Sequence, residues 1–452
     1  MKLFDDTIIG ISTALAQGAI SIIRLSGDKA IDIVDSCFKG KCLKKVNPNT
    51  IHYGHIIDSS SKQVIDEVLV SVFRAPKSYT TEDVVEINCH GGLFVTNQIY
   101  ELLVLSGARP AEPGEFTKRA FLAGRIDLTK AEAVMDVIEA QNRSALRIAT
   151  SALDGKISQF VHQKRQDLLQ IIATIAVNID YPEYDDVEEL TNQDILPPLY
   201  QIKNELFDVL EYAKSAKLLK NGIRTAIIGR PNVGKSSLLN ALLNENKAIV
   251  TDIPGTTRDI IEASINLGNV TLHLLDTAGI RTTSDIVEQM GVKKSYDALE
   301  QADLILLVLD GADAFTKEDA ILLEMVQDKC HIVIVNKNDL SSQWEVTMDA
   351  ISMNTKDRAS IANLEQKIIE VLSIHQLQNK DITYISNARQ IEKLSLALKA
   401  IEEAIETILV EQTIDFADVY IRKAWLYLGE IIGQTSTDHL LDELFSKFCL
   451  GK

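Results

Sequence analysis

Cysteine is scarce in this chain: five residues in 452 (Cys37, Cys42, Cys89, Cys330 and Cys449), odd in number, scattered and without a CxxC pair. That excludes a disulfide framework and a zinc cluster, and it fits a reducing compartment. Positive charge is also short, with 46 Lys and Arg against 64 Asp and Glu for a net charge of −18. Backbone-driven nucleic-acid binding needs clustered cations, so any RNA contact is expected to be local or shared with a partner. No apolar run reaches the length of a membrane span and no basic-plus-apolar leader opens the sequence, so a soluble, cytoplasmic protein with no membrane association is expected. What is present is ordinary globular composition, 46% hydrophobic with modest glycine and proline, over a length that suits two or three domains.

Texture changes along the chain. Residues 1–118 mix β-rich runs (Ile20–Ile23, Val68–Val72, Val84–Ile87) with turns and short helical patterns. Across 119–216, alanine, leucine and glutamate dominate, and Leu168, Leu169, Ile172, Ile175, Ala176 and Ile179 recur at helical spacing until Tyr181–Asp186 interrupts them. Between 217 and 380, strands alternate with helical patterns: Thr225–Gly229, Thr271–Asp276, Leu304–Asp310, His331–Asn336 and a short Ala350–Ser352. That rhythm belongs to a doubly wound parallel sheet. From 381 to 452 helical steps return at Ile391, Leu394, Leu398, Ile401, Ile405 and Ile408. The expected fold is multidomain: an α+β N-terminal domain (1–118), a discontinuous all-α domain (119–216 and 381–452), and an α/β P-loop domain (217–380) inserted into it, with its ends close together.

The chemistry concentrates in the inserted part. Gly229-Arg230-Pro231-Asn232-Val233-Gly234-Lys235-Ser236 matches GxxxxGKS directly after an apolar strand. There glycines let backbone N–H groups and a helix N-terminus face phosphate oxygens, Lys235 adds a point charge, and Ser236 offers a hydroxyl to Mg²⁺. Asp276-Thr277-Ala278-Gly279 ends a later strand, where a carboxylate can hold a Mg²⁺ water and a glycine amide can sense a γ-phosphate. Asn336-Lys337-Asn338-Asp339 reads as NKxD, whose Asp339 accepts two hydrogen bonds from guanine and would face an acceptor on adenine. Thr257, in Gly255-Thr256-Thr257-Arg258-Asp259, supplies a second Mg²⁺ hydroxyl. Four elements in this order point to GTP. The position after DTAG, where many GTPases carry a water-orienting Gln, is Ile280, so catalysis needs another source. Either an arginine in cis (Arg258 or Arg281) serves, or a bound cation does, with Asn232 as one oxygen ligand and a carboxylate positioning water. On residue grounds alone Glu288 reads as a solvated helix-face glutamate.

Further runs carry a resemblance along the whole length: Arg24-Leu25-Ser26-Gly27, Glu82-Asp83-Val84-Val85-Glu86 with His90-Gly91-Gly92, the stretch from Pro113 to Leu122, the GTTRD segment, and the terminal Phe448-Cys449-Leu450-Gly451-Lys452. Together with the nucleotide motifs they resemble the MnmE (TrmE) family of tRNA-modification GTPases. The resemblance implies a homodimer through folate-binding N-terminal domains, and G domains that associate around K⁺ and GTP. It implies a flavoprotein partner of the MnmG type, which brings the only FAD and forms a heterotetramer. It further implies an aminomethyl or carboxymethylaminomethyl group placed on C5 of a tRNA wobble uridine from a formyl- or methylene-type tetrahydrofolate. Carried over by position, nucleotide contacts fall on Asn232, Val233, Gly234, Lys235, Ser236, Ser237, Thr251, Asp252, Ile253, Pro254, Gly255, Thr256, Thr257, Asp276 to Gly279, Asn336, Lys337 and Asp339. Mg²⁺ falls to Ser236 and Thr257, K⁺ to Asn232, Thr251, Ile253 and Thr256, catalysis to Glu288 orienting water with Asn232 and Lys235, and folate to Arg24, Glu86, Arg125 and Lys452. Cys449 lies near the implied modification site. Two departures stand out: Ser12 to Gly18 lacks the family's proline-glycine pattern, and Ser352-Met353-Asn354 puts a bulky Met in the guanine-packing loop. The contrasting reading is a ribosome-assembly GTPase acting as a nucleotide-dependent binding switch, which needs no folate.

Overall fold

The computed structural model describes residues 4–58, 60–180, 192–245, 261–267, 270–275, 300–340, 349–355, 357–372, 385–410, 414–434, 438–448 and 451. The chain divides into two compact units, Met1–Met135 with Gly429–Lys452, and Asp136–Leu428.

In the first unit, β1 (Ile8–Ile11), β2 (Ile20–Ser26), β3 (Phe38–Lys39), β4 (Thr50–Ile57), β5 (Val64–Phe73), β6 (Val84–His90) and β7 (Arg109–Pro110) form one sheet. Their order is β3-β4-β5-β6-β2-β1-β7, antiparallel except for β1 with β7. Strict alternation decides its faces. Ile23 and Leu25, Val68, Val70 and Val72, and Val85, Ile87 and Cys89 point into a core closed by helices Ala30–Cys37 and Leu93–Leu105. The opposite face carries Arg24 and Glu86, with Ile20, Ile51, Tyr53 and Leu69 exposed. Gly54 interrupts β4 without breaking it because the Phe38 ring occupies the space of a side chain, 2.4 Å from where a Cβ would stand.

In the second unit, β8 (Ile223–Ile228), β9 (Ile261–Leu267), β10 (Val270–Leu275), β11 (Leu304–Asp310), β12 (His331–Asn336) and β13 (Ala350–Ser352) form a sheet of order β13-β12-β11-β8-β10-β9. All pairings are parallel except β9 with β10. β11 is buried on both faces, with Leu304, Leu306 and Val308 in one cluster and Ile305, Leu307 and Leu309 in the other, as a central parallel strand covered on both sides must be. Of the expected strands, the last three coincide with β11, β12 and β13. The edge strand β9 was not anticipated, although Ile261, Ala263, Ile265 and Leu267 alternate. The long helices Lys156–Asp180, Asn192–Asn221 and Ala388–Leu409 confirm the helical texture, burying Leu168, Ile172, Ile175, Leu394, Ile401, Ile405 and Ile408. Leu169, expected on the same stripe, is 51% exposed and so stands off the packed face. The α+β, helical and α/β P-loop parts are thus all present. No helix among the described residues is long and apolar enough to cross a membrane.

Candidate functional site

The phosphate loop leaves β8 and enters helix Lys235–Glu245. Its shape follows from two residues. Asn232 takes a left-handed backbone at φ 65°, and Gly234 at φ 104° has Asn336 Nδ2 only 2.1 Å from where a Cβ would stand. A side chain at Gly234 would therefore push the NKxD loop off the phosphate loop. Asn336, 2% exposed at the end of β12, donates from Nδ2 to Val233 O at 2.9 Å, while its buried Oδ1 has no partner. The two motifs, a hundred residues apart, are thus tied through the first residue of NKxD.

Lys235 Nζ donates to the carbonyls of Gly229 and Arg230 at 2.7 Å each. Burial pushes its ammonium below the usual lysine range, and no carboxylate among the described residues pairs with it to offset that. Ser236 and Ser237 are exposed on the first helical turn. Lys337, left-handed at φ 64°, donates to Asp310 Oδ2 at 2.5 Å, and Asp339 is exposed. Met353, read from sequence as a bulky residue in the guanine-packing loop, turns its side chain inward. Its side chain is 0% exposed in the core with Ile332, Ile334 and Leu364, and only its carbonyl, accepting from Asn338 N at 3.3 Å, reaches the NKxD loop. Thr251, Asp252, Ile253, Pro254, Gly255, Thr256, Thr257, Asp276, Thr277, Ala278, Gly279 and Glu288 lie outside the described residues, as do Arg258, Ile280 and Arg281.

The second candidate site is in the first unit. Arg24 and Glu86 stand in register on β2 and β6, and Arg24 donates from Nε and Nη2 to Glu86 Oε1 at 2.8 Å. Arg24 Nη1 also reaches Gly451 O at 3.3 Å, which accepts from Ser12 Oγ at 3.0 Å. Gly451 is required there: it has φ 88°, and a Cβ would meet Ile11 O at 2.3 Å. Gly451 is therefore seated beside Arg24, while Cys449, Leu450 and Lys452 lie outside the described residues. Arg125 donates to Tyr79 O at 2.7 Å and lies 5.1 Å from the Tyr79 ring centre, while Arg24 lies 5.9 Å from the same ring and 5.7 Å from Phe116. Sequence reasoning placed Arg24, Glu86 and Arg125 but missed Tyr79 and Phe116. Tyr79, an aromatic set in the polar run Ser78 to Asp83, was the available signal.

Among the described cysteines, Cys37 and Cys89 are packed and Cys42 and Cys330 are exposed, all as free thiols; burial raises Cys37 to about 11.

Residues 7–125 match the family described as GTP-binding protein TrmE N-terminus, and residues 128–449 match the MnmE helical domain. The tRNA modification GTPase MnmE of Bacillus mycoides (strain KBAB4) is 50% identical over 455 residues, covering 99% of each chain. Those of Bacillus cytotoxicus and Bacillus anthracis are 50% and 49% identical over the same span. Among solved structures, the G domain of the T. maritima FeoB iron transporter is 25% identical, covering 33% of this chain and 98% of its own at a TM-score of 0.25.

Proposed function

The chain belongs to the MnmE family of tRNA modification GTPases, and from that premise we propose that it hydrolyses GTP with K⁺ in place of a catalytic glutamine to drive modification of a tRNA wobble uridine. The observation that carries the nucleotide half is the junction of Asn336 with the phosphate loop, where Nδ2 holds Val233 O and Oδ1 is left without a partner. Lys235 holds phosphate oxygens, Ser236 with Thr257 holds Mg²⁺, and Asp339 selects guanine. Asn232 with Thr251, Ile253 and Thr256 would hold K⁺, which would supply positive charge beside the transferred phosphoryl group. Asn232 suits this role: its left-handed turn stands at the exposed rim of the loop. Glu288 orients the attacking water.

The folate half rests on Arg24, Glu86, Arg125 and Lys452. Arginines suit the carboxylates of a folate's glutamyl tail, a carboxylate suits the paired donors of a pterin edge, and the Tyr79 and Phe116 rings beside Arg24 suit a flat heterocycle. Arg24 and Glu86 now satisfy each other, so a folate must exchange partners with them. The exposed Ile20, Ile51, Tyr53 and Leu69 on one sheet face support a homodimer through the N-terminal part. The proposal keeps three domains with the boundaries read from sequence, an MnmG-type flavoprotein as partner, and a cytoplasmic site of action.

The test is GTP turnover at equal ionic strength in KCl and in NaCl, with tetrahydrofolate titration of the wild-type chain and Arg24→Ala. Expected are K⁺-stimulated hydrolysis and a folate affinity lost in the variant with hydrolysis unchanged. Equal rates in the two salts remove the K⁺ assignment, and an unaltered titration removes the pocket and leaves the switch reading without modification chemistry.

A further inference from the structure

Arg230 follows the first glycine of the phosphate loop, yet its guanidinium turns away from the cradle. Nε donates to Asp319 Oδ1 at 2.8 Å, and Nη2 lies 3.7 Å from Asp313 Oδ2. The Asp319 side chain is 2% exposed and uses its other oxygen on Thr316, accepting from Thr316 N and Oγ1 at 2.9 Å each. Thr316 and Asp319 form the box that caps helix Lys317–Val326. The helix thus fixes the carboxylate, and the carboxylate fixes the arginine.

The loop needs such an anchor. Pro231 restricts the backbone of Arg230 to extended conformations, and Asn232, next along, holds a left-handed turn that a non-glycine residue keeps only when its surroundings impose it. On one side Gly229 packs so closely on β11 that a Cβ would stand 2.3 Å from Val308 O, and on the other Asn336 grips Val233 O. Between them Lys235 Nζ holds the carbonyls of Gly229 and Arg230 from inside the loop, and the Arg230 side chain ties the same arm outward to Asp319.

We infer that Arg230 is a positioning residue for nucleotide binding, its ion pair with Asp319 keeping the phosphate loop in its binding shape before any phosphate arrives. The inference rests on the nucleotide reading above. The anchor acts on the loop backbone rather than on the γ-phosphate, so it serves GDP and GTP alike, and its loss removes uniform binding.

Full-length Arg230→Ala, Arg230→Lys and Asp319→Asn chains, and the Arg230→Ala/Asp319→Asn double variant, test this by GTP and GDP dissociation constants, steady-state kinetics and thermal midpoints. Arg230→Ala is expected to weaken both nucleotides by the same factor, about ten-fold, and to raise KM in proportion with kcat little changed. Arg230→Lys, which keeps a point charge, recovers part of the affinity. Asp319→Asn matches Arg230→Ala, and the double variant is no worse than either single one. An unchanged KM in Arg230→Ala overturns the inference, as does a folded variant with a lowered melting point and unaltered affinities. An unmodified chain that binds no guanine nucleotide sinks the functional reading, and this anchor with it.

Discussion

Two polar clusters, one in each unit, are held in different ways. In the first, Arg119 is 1% exposed and ringed by carboxylates: its terminal nitrogens donate to Asp6 Oδ1 at 2.6 Å, to Glu82 Oε1 at 3.0 Å and to Glu115 Oε1 at 3.0 Å, while its buried Nε has no partner among the described residues. The Phe4 ring lies 4.3 Å from its guanidinium, and Arg109 supplies a second cation to Asp6 and Glu115. In the second, the polar groups at the nucleotide motifs stand open. Asn336 Oδ1 is buried without a partner, Lys235 faces two carbonyls, and Asp339 is exposed. Charge follows the same division, with 17 Lys and Arg against 20 Asp and Glu in 1–135 and 429–452, and 29 against 44 in 136–428. A buried guanidinium ringed by three carboxylates ties distant parts of the chain together, whereas a half-buried lysine and a buried amide with no carboxylate among their described partners suit a site that takes up an outside ligand.

The largest effect that tests this contrast is Arg119→Met. It strands Glu82 and Glu115 beside a side chain with no charge, and breaking a buried ion pair from one side costs about 3–5 kcal/mol. Chemical unfolding should show the first unit losing that much stability while GTP affinity in 136–428 is retained; a comparable loss of nucleotide binding breaks the comparison. Next comes Lys235→Ala. Removing the charge aimed at the phosphates should lower GTP turnover about 10²-fold with no loss of stability, since burial already disfavours this ammonium in the empty loop. A clear drop in the unfolding midpoint would place Lys235 with Arg119 as a structural cation.

How far each site was legible in the sequence follows the same division. The phosphate loop and NKxD were readable because their chemistry is local: a strand, a turn that needs glycines, and a helix start, all within a dozen residues. The strands β11 to β13 were legible as unbroken apolar runs. In contrast β4 was not, because Gly54 and two histidines dilute its alternation, and only the Phe38 ring makes that glycine a good choice. The Arg119 knot joins Asp6, Glu82 and Glu115 across as many as 113 residues. The runs Glu82 to Glu86 and Pro113 to Leu122 marked those residues as particular without saying that they meet. The seating of Tyr79 and Phe116 around Arg24, and of Arg230 on Asp319, is tertiary in the same sense. The inward turn of Met353 was not legible for the converse reason: a motif position predicts which loop a residue occupies, not where its side chain points.

The smallest expected effect concerns acid. Burial raises the carboxyls of Asp6 and Glu115, but hydrogen bonds from Arg109 and Arg119 outweigh it, with the Glu112 N–H adding to the hold on Glu115, and keep both below the usual carboxylate range. The unfolded chain therefore binds more protons on the acid side. The stability these groups contribute is complete above their unfolded values near pH 4 and is lost as pH falls through the lower folded values. One carboxylate contributes a slope of at most about 1.4 kcal/mol per pH unit, and less for the partly exposed Asp6. Urea midpoints of the first unit should stay level from pH 7 to about pH 5 and decline below pH 4, and the decline should flatten in Arg119→Met. An acid slope in the variant as steep as in the unmodified chain would mean that the carboxylates titrate as ordinary surface groups, and the closed knot would lose its distinction from the open site.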